Sequence, residues 1–189
     1  CIIGVLATVN SLEINIQNQL KSLGSNSIYI DKWDYNGGPD YPWWKYEKRP
    51  EIKYAELGYI RERSQLAEAI AFSIDSRFTV VHNDEALEGV TLEGATEDKN
   101  SITPLEIQYG RYLSGNEFEN GSPVIVMGYT NAENLFNEPE RAVGKQVKIK
   151  NKIVTIIGVV KKVGTSLIGE NTDQSIYTSY RFARQIVNE

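Results

Sequence analysis

The chain has little of the chemistry that most enzymes and metal proteins use. Its 189 residues include one cysteine and one histidine. A single cysteine excludes a disulfide framework and any site built from several thiolates. His82 would lack partner ligands in a zinc site. A GxxxxGK[ST] phosphate loop and a GxGxxG fingerprint are also missing from the sequence. We therefore predict that the chain holds no metal and no cofactor.

Two catalytic arrangements are conceivable, and each has a simpler interpretation. A hydrolase would need Ser166 and His82, but the segment GTSLIG (164–169) is one residue too long for the G-x-S-x-G turn that exposes a serine. A glycosidase would need Glu117 and Glu119, whose surroundings, NEFENGSP, are typical of a solvated loop. We predict that the chain is not an enzyme, and a Ser166–His82 hydrolase is kept as a third hypothesis.

Positive charge and long apolar runs are scarce as well. The chain has 20 basic and 25 acidic residues, a net charge of −5. Proteins that bind nucleic acid usually present a basic face, so we predict no nucleic-acid partner. CIIGVLATV, at the N-terminus, is much shorter than the ~20 apolar residues of a membrane span. We expect it to be the tail of a membrane helix that begins upstream.

The rest of the chain mixes helical and strand patterns. Apolar residues at helical spacing predict an amphipathic helix over 10–23. NSIYID (26–31) is expected to be a strand and 52–64 a helix. From Ala67 onward the pattern is β-rich, with strands predicted in LAEAIAFSID, RFTVVHN, ALEGVTLEGAT, ITPLEIQYG, SPVIVMGYT, the hairpin KQVKIKNKIVTIIGVVKK and QSIYTS, and with helices in NAENLF and YRFARQIV. We expect a mixed α+β fold.

The connection between the strand predicted at 26–31 and the helix predicted at 52–64 contains one unusual stretch, YPWWKYEKRP (41–50). It places four aromatic rings and three cationic side chains in ten positions. Bulky rings between two prolines favour a strap that holds the connection against the domain. Trp, Tyr and Arg are also the residues that dominate interface hot spots. We prefer the strap, and name a partner contact as the alternative, formed by Trp43, Trp44, Tyr46 and Arg49.

Six segments follow one another in a fixed order: LGSNSIYID (23–31), the block from Gly94 to Arg111, Asn134-Leu135-Phe136, Val143-Gly144-Lys145, TIIGVV (155–160) and the strand from Ile176 to Tyr180. In this order they resemble the MacB-like periplasmic core domain of ABC transporter permeases. The resemblance extends over residues 1–188. It lies in the order of the segments and not in any single motif. Ser179 departs from it, because the family often has Pro before this Tyr.

The resemblance implies two lobes. The first would be an α/β lobe with βαβ character (Porter-like), formed by 24–78 together with 174–189. The second would be a β-rich inserted lobe (Sabre-like), formed by 79–173. Residues 1–23 would be the end of the first membrane span and an amphipathic stalk helix.

The resemblance also implies a function. The domain would lie on the periplasmic side of the inner membrane and couple ATP hydrolysis by a cytoplasmic ATPase to export or to force transmission. A periplasmic adaptor, an outer-membrane channel and a second copy of the permease are the expected partners. The alternative is a freestanding extracytoplasmic module that binds a glycan or peptide through its Trp and Tyr residues.

Overall fold

The computed structural model describes residues 27–32, 43–164 and 171–187. The predicted stalk helix at 10–23 and the segment with Ser166 lie outside these ranges. The described elements are α1 (Trp43–Glu47), α2 (Glu56–Arg63), β1 (Ser73–His82), β2 (Glu85–Ala95), α3 (Lys99–Ile102), β3 (Ile107–Gly110), α4 (Gly115–Asn120), β4 (Val124–Met127), α5 (Tyr129–Phe136), a 3-10 turn (Pro139–Ala142), β5 (Gln146–Ile149), β6 (Lys152–Val160), a second 3-10 turn (Thr172–Gln174), β7 (Ser175–Ser179) and α6 (Tyr180–Val187).

The strands form one sheet in the order β3-β6-β4-β7-β2-β1-β5. Strand β5 pairs with β6 as well as with β1, so six strands close into a ring and β3 extends it at β6. The pairs β2–β7 and β4–β6 are parallel, and the other pairs are antiparallel. The predicted α+β class is confirmed. None of the described helices has both the length and the apolar character of a membrane span.

Two tight hairpins supply the long strands of the sheet. His82 pairs with Glu85 across a turn in which Asn83 has a φ of 53°, and Ile149 pairs with Lys152 across a turn in which Lys150 has a φ of 50°. The second hairpin is the one predicted in KQVKIKNKIVTIIGVVKK, and the first joins the strands predicted in RFTVVHN and ALEGVTLEGAT. Three strands were predicted in this part of the chain, but the structure has two. Strand β1 is continuous and contains parts of both LAEAIAFSID and RFTVVHN.

Apolar side chains fill two clusters on the sheet. The larger one packs α5 and α6 against it, with Met127, Ile156, Ile176 and Phe182 among its buried members. The smaller one lies where α4 and the chain around β3 cover the sheet, and includes Phe118, Val126 and Tyr177. All five residues of β7 are buried. Strand β7 is therefore the centre of the fold, with buried neighbours in both clusters.

The sequence-based predictions were wrong at several element boundaries. Residues 27–31 of NSIYID are in no strand, and Ile28 is 89% exposed. The helix expected at 52–64 begins only at Glu56. Helix α5 begins at Tyr129 with Gly128 as its N-cap, two residues before the predicted segment NAENLF. Within the predicted hairpin, Ile153 is apolar but 64% exposed, because it pairs with the outward-facing Lys148.

The segment NEFEN, interpreted as a solvated loop, is helix α4. Its N-terminus is closed by a capping box between Ser114 and Glu117, and Phe118 is buried. Helix α3 was also unexpected. The division into lobes at 78/79 and 173/174 stays a prediction. In the described sheet, β7 pairs in parallel with β2, from Thr91↔Ser175 to Ala95↔Ser179.

Candidate interaction surface

His82, the only histidine in the sequence, contacts two strands of the sheet. Nδ1 of His82 lies 2.9 Å from the backbone oxygen of Gln146, and its Nε2 lies 3.2 Å from the side-chain nitrogen of Asn83. Its ring packs against Phe136, with centroids 4.5 Å apart. His82 thus connects the end of β1 to the start of β5. Ser166, its hypothetical catalytic partner, lies outside the described residues.

The four predicted contact residues lie in and just after α1. Trp44 is 58% exposed, so the burial expected of a strap is not found for this ring. Arg49 lies over the ring of Tyr46, 4.3 Å from its centroid, and its N–H donates to the Tyr46 carbonyl. For Trp43 the structure describes only the backbone. The structure thus presents aromatic and cationic groups at this surface, and a partner contact stays a prediction.

Helix α2 follows α1 and buries none of its residues. Its exposed side chains include two apolar ones, Tyr59 and Ile60, and Leu66, just beyond it, is 96% exposed. Isolated exposed apolar residues are ordinary, but a helix with no buried face needs another attachment to the fold. Arg61 supplies one by an ion pair with Asp98, and Tyr54 supplies another.

Tyr54, Phe72 and Tyr180 form an aromatic cluster at the edge of the domain. The rings of Tyr54 and Tyr180 stack with centroids 4.4 Å apart and an interplanar angle of 17°. Phe72 meets both rings edge-on, at 5.8 Å and 5.1 Å. Tyr180 is the first residue of α6, directly after the central strand β7. The cluster therefore attaches the chain around α2 to the most buried part of the fold.

A buried acidic residue on β2 was missed by the sequence analysis. Glu93 is 4% exposed, and one carboxylate oxygen lies 3.1 Å from the Nζ of Lys99. Burial and the charge of Glu93 raise the pKa of Tyr112 to about 12, so this phenol stays neutral. In the sequence, Glu93 lies in LEGA (92–95), where the order of polar and apolar residues does not show which face of the strand it occupies. The described residues contain no grouping of metal ligands around this pair or elsewhere.

Asp173 binds the stretch of chain that directly follows β6, residues 161–164. This buried carboxylate accepts hydrogen bonds from the backbone N–H groups of Val163 and Gly164, at 3.0 and 2.8 Å. Lys162 lies 4.9 Å from the centroid of the Tyr129 ring and 3.6 Å from the carboxylate of Glu133. The chain at 161–164 is thus fixed to α5 and to the turn before β7.

Comparison with known proteins places this fold among transporter domains. A family model described as the MacB-like periplasmic core domain matches residues 1–188. The macrolide export ATP-binding/permease protein MacB of Bdellovibrio bacteriovorus is 25% identical over 167 residues, which are 87% of this chain and 25% of that protein. The chain thus spans about a quarter of the length of this relative.

Two solved structures show the same fold. The periplasmic region of MacB from Actinobacillus actinomycetemcomitans superposes with a TM-score of 0.71 at 16% identity, covering 90% of this chain and 72% of that one. The extracellular domain of the noncanonic ABC-type transporter YknZ from Gram-positive bacteria gives a TM-score of 0.62 at 20% identity, covering 73% of this chain and 67% of that one.

Proposed function

The chain belongs to the family of MacB-like periplasmic core domains, and we propose that it is the extracytoplasmic part of an ABC transporter permease that responds mechanically to ATP hydrolysis. A partner ATPase on the cytoplasmic side would supply the energy. A periplasmic adaptor and an outer-membrane channel would receive the movement or the cargo. The chain itself would act without catalysis, anchored to the inner membrane by segments that flank the domain.

The observation that carries this proposal is the family match over 1–188. Two contacts at the ends of α6 support the proposed coupling. The aromatic cluster connects the chain before β1 to Tyr180, at the start of α6. At the other end of α6, the Nζ of Lys150 donates to the carbonyl of Ile186 at 2.7 Å. Movement of either end of the domain would reach the same closed sheet.

The coupling proposal is tested in the parent permease, expressed with its ATPase. Tyr180→Ala removes the ring that Tyr54 and Phe72 contact, whereas Tyr59→Ala removes an exposed ring and is the control. We expect Tyr180→Ala to leave ATP hydrolysis running while export, or another ATP-dependent output, falls. Equal output from both variants, at equal membrane levels, would refute coupling through this route.

The location is tested separately with a membrane-impermeant maleimide. Val163 is exposed, so Val163→Cys in a parent permease from which Cys1 and any other cysteine have been removed presents a single reactive thiol. We expect labelling in intact cells after the outer membrane is permeabilised. Labelling only after lysis would place the domain in the cytoplasm and would contradict the proposal.

A second candidate function is binding of a glycan or peptide by the α1 surface. The exposed ring of Trp44 and the Arg49–Tyr46 pair favour it, because stacking rings and a cation are typical of such sites. Titration with glycan and peptide panels, followed by tryptophan fluorescence, would detect binding. Trp44→Phe should weaken a response that comes from this surface, and an unchanged response would assign it elsewhere.

A further inference from the structure

The α1 surface, which comprises residues 43–53, differs in charge from the rest of the chain. Its sequence, WWKYEKRPEIK, has four basic and two acidic side chains, which leaves 16 basic and 23 acidic ones elsewhere. The surface is therefore positive on a chain whose net charge is −5. A local excess of one sign attracts partners of the opposite sign. The α1 surface is thus suited to an anionic partner.

The basic side chains of this surface point into solvent. Lys45, Lys48, Arg49 and Lys53 are all exposed. Among the residues that the structure describes, no carboxylate lies within ion-pair distance of any of these four side chains. Arg61, in the next helix, differs from them because an ion pair holds it to the domain. The cations of the α1 surface can therefore contact an external anion without breaking a described ion pair.

Aromatic rings lie between these cations. Trp44 is 58% exposed, and the half-buried ring of Tyr46 has the guanidinium of Arg49 4.3 Å from its centroid. Trp and Tyr are enriched at membrane–water interfaces, where their rings lie at the level of the lipid headgroups. Lys and Arg side chains at such interfaces extend their charged ends to the polar layer. Rings beside cations are thus typical of segments that lie on a membrane surface.

We propose that the α1 surface binds a membrane surface that contains anionic phospholipid. Trp44 enters the headgroup region, and Lys48 and Arg49 contact lipid phosphates. The inference rests on the proposed function, because a permease domain on the periplasmic side of the inner membrane lies beside such a surface. The domain then has a peripheral contact with the membrane in addition to the segments that anchor it.

A lipid surface explains more of these features than the glycan or peptide alternative does. A neutral glycan would stack on the rings but would leave the four cations without a role. Sites for small ligands are usually concave, whereas α1 is a short helix whose described side chains are exposed or half-buried. A bilayer requires no matching shape, because binding depends on buried apolar area and on attraction to anionic lipid.

Co-sedimentation of the purified full chain with lipid vesicles tests the role of charge. Vesicles of phosphatidylcholine are compared with vesicles in which a third of the lipid is phosphatidylglycerol. We expect stronger binding to the anionic vesicles. Lys48→Glu with Arg49→Glu should lower this binding more than about tenfold, because each basic residue near an anionic membrane contributes roughly fivefold to affinity.

Lys145→Glu with Lys148→Glu is the matched control. Both lysines are exposed, and the two changes alter the net charge by the same amount outside the α1 surface. Binding should change much less, because all four cations of the α1 surface remain. The apolar run at 1–9 is the same in every variant, so its own affinity for lipid cancels in the comparison. Circular dichroism confirms that each variant is folded.

Quenching by brominated lipid tests whether Trp44 enters the headgroup region. With Trp33→Phe and Trp43→Phe, Trp44 is the only tryptophan left in the chain. Brominated anionic vesicles should quench its fluorescence, and its emission should shift to the blue. A chain with all three tryptophans replaced by Phe and with Ile153→Trp carries the fluorophore at an exposed position of the β5–β6 hairpin. Quenching there should be weak.

Three results would overturn the proposal. The first is an equal loss of binding in the two charge-reversed variants, since binding would then follow net charge alone. The second is equal quenching of the tryptophans at positions 44 and 153. The third is equal binding to the two kinds of vesicle. Any of these leaves the transport proposal standing, whereas labelling of Val163→Cys only after lysis would contradict the periplasmic location and leave the vesicle results unchanged.

Discussion

Arg111 donates hydrogen bonds from both terminal nitrogens to the two carboxylate oxygens of Glu117, each at 2.7 Å. The same carboxylate accepts from the backbone N–H and the hydroxyl of Ser114, both at 2.8 Å. The guanidinium of Arg111 is the main cause that lowers the pKa of Glu117 to about 2, from an ordinary value of 4.5. Arg111, directly after β3, and Ser114, at the N-terminus of α4, are thus bound to the same carboxylate.

Acid should release this connection. Since the folded pKa of Glu117 lies below the ordinary value of 4.5, its stabilisation is complete above about pH 4.5 and is lost as the pH falls towards 2. Glu117→Gln should cost about 1 kcal/mol at neutral pH, as expected for a lost helix cap. It should also flatten the change in stability between these pH values. Urea unfolding at pH 7, 4 and 3 measures both effects.

Glu106→Gln is the control for this prediction. Glu106 pairs with Lys161 at 2.6 Å, and both side chains are exposed, so solvent screens the pair. We expect its removal to change the free energy of unfolding little at any pH. A similar loss in both variants would show that the acid response does not depend on the Arg111–Glu117 connection.

Gly158 should not tolerate a side chain. A Cβ at this position would lie 2.3 Å from the backbone oxygen of Arg111, where β6 and the end of β3 come together. Gly158→Ala must move backbone, and overpacking of this kind costs about 1–3 kcal/mol. Chemical denaturation measures the loss.

Gly58→Ala is the matched control, because no atom lies within 4 Å of the added Cβ. Gly58 is within helix α2, where alanine is favoured over glycine by about 1 kcal/mol. Gly58→Ala should therefore be neutral or more stable. A Gly158→Ala chain as stable as the parent would show that the two strands separate at little cost.

Asp173 should be essential for the chain at 161–164. Asp173→Ala leaves the N–H groups of Val163 and Gly164 without their buried acceptor, at a cost of about 1–3 kcal/mol. Amide exchange at these two residues should accelerate far more than exchange in β4. Asp173→Asn retains one acceptor oxygen and should fall between the parent and Asp173→Ala. Unchanged exchange in Asp173→Ala would contradict this assignment.

The sequence predicted elements well where a local pattern decides them. Both hairpins follow from turn residues between apolar strands, and β7 with α6 follows from QSIYTS and YRFARQIV. The resemblance to the family and the absence of local catalytic motifs also come from the sequence alone. These features depend on neighbours in the chain, so periodicity and order reveal them.

What the sequence could not give depends on pairing between distant segments. The ring closes because β5 contacts both β1 and β6, and no local pattern encodes that second partner. NEFEN resembled a loop because polar side chains surround its one apolar residue, Phe118, whose pocket is formed by distant segments. The S-x-x-E spacing of Ser114 and Glu117 is a local signal for the start of a helix, and the sequence analysis missed it. Exposure of Trp44 was missed for the same reason, since aromatic composition alone does not show what covers a ring.

Lys150 should hold the last turn of α6 to the β5–β6 hairpin. Its Nζ donates to the carbonyl of Ile186 at 2.7 Å and lies 5.3 Å from the centroid of the Phe78 ring. A cation at a helix C-terminus contributes about 0.3–1 kcal/mol, so Lys150→Met should cost that amount and accelerate amide exchange in the last turn of α6. Lys148→Met removes an exposed lysine of the same hairpin and should do neither. If both variants leave exchange in α6 unchanged, the hairpin does not restrain the end of the helix, and a mechanical route through this contact is ruled out.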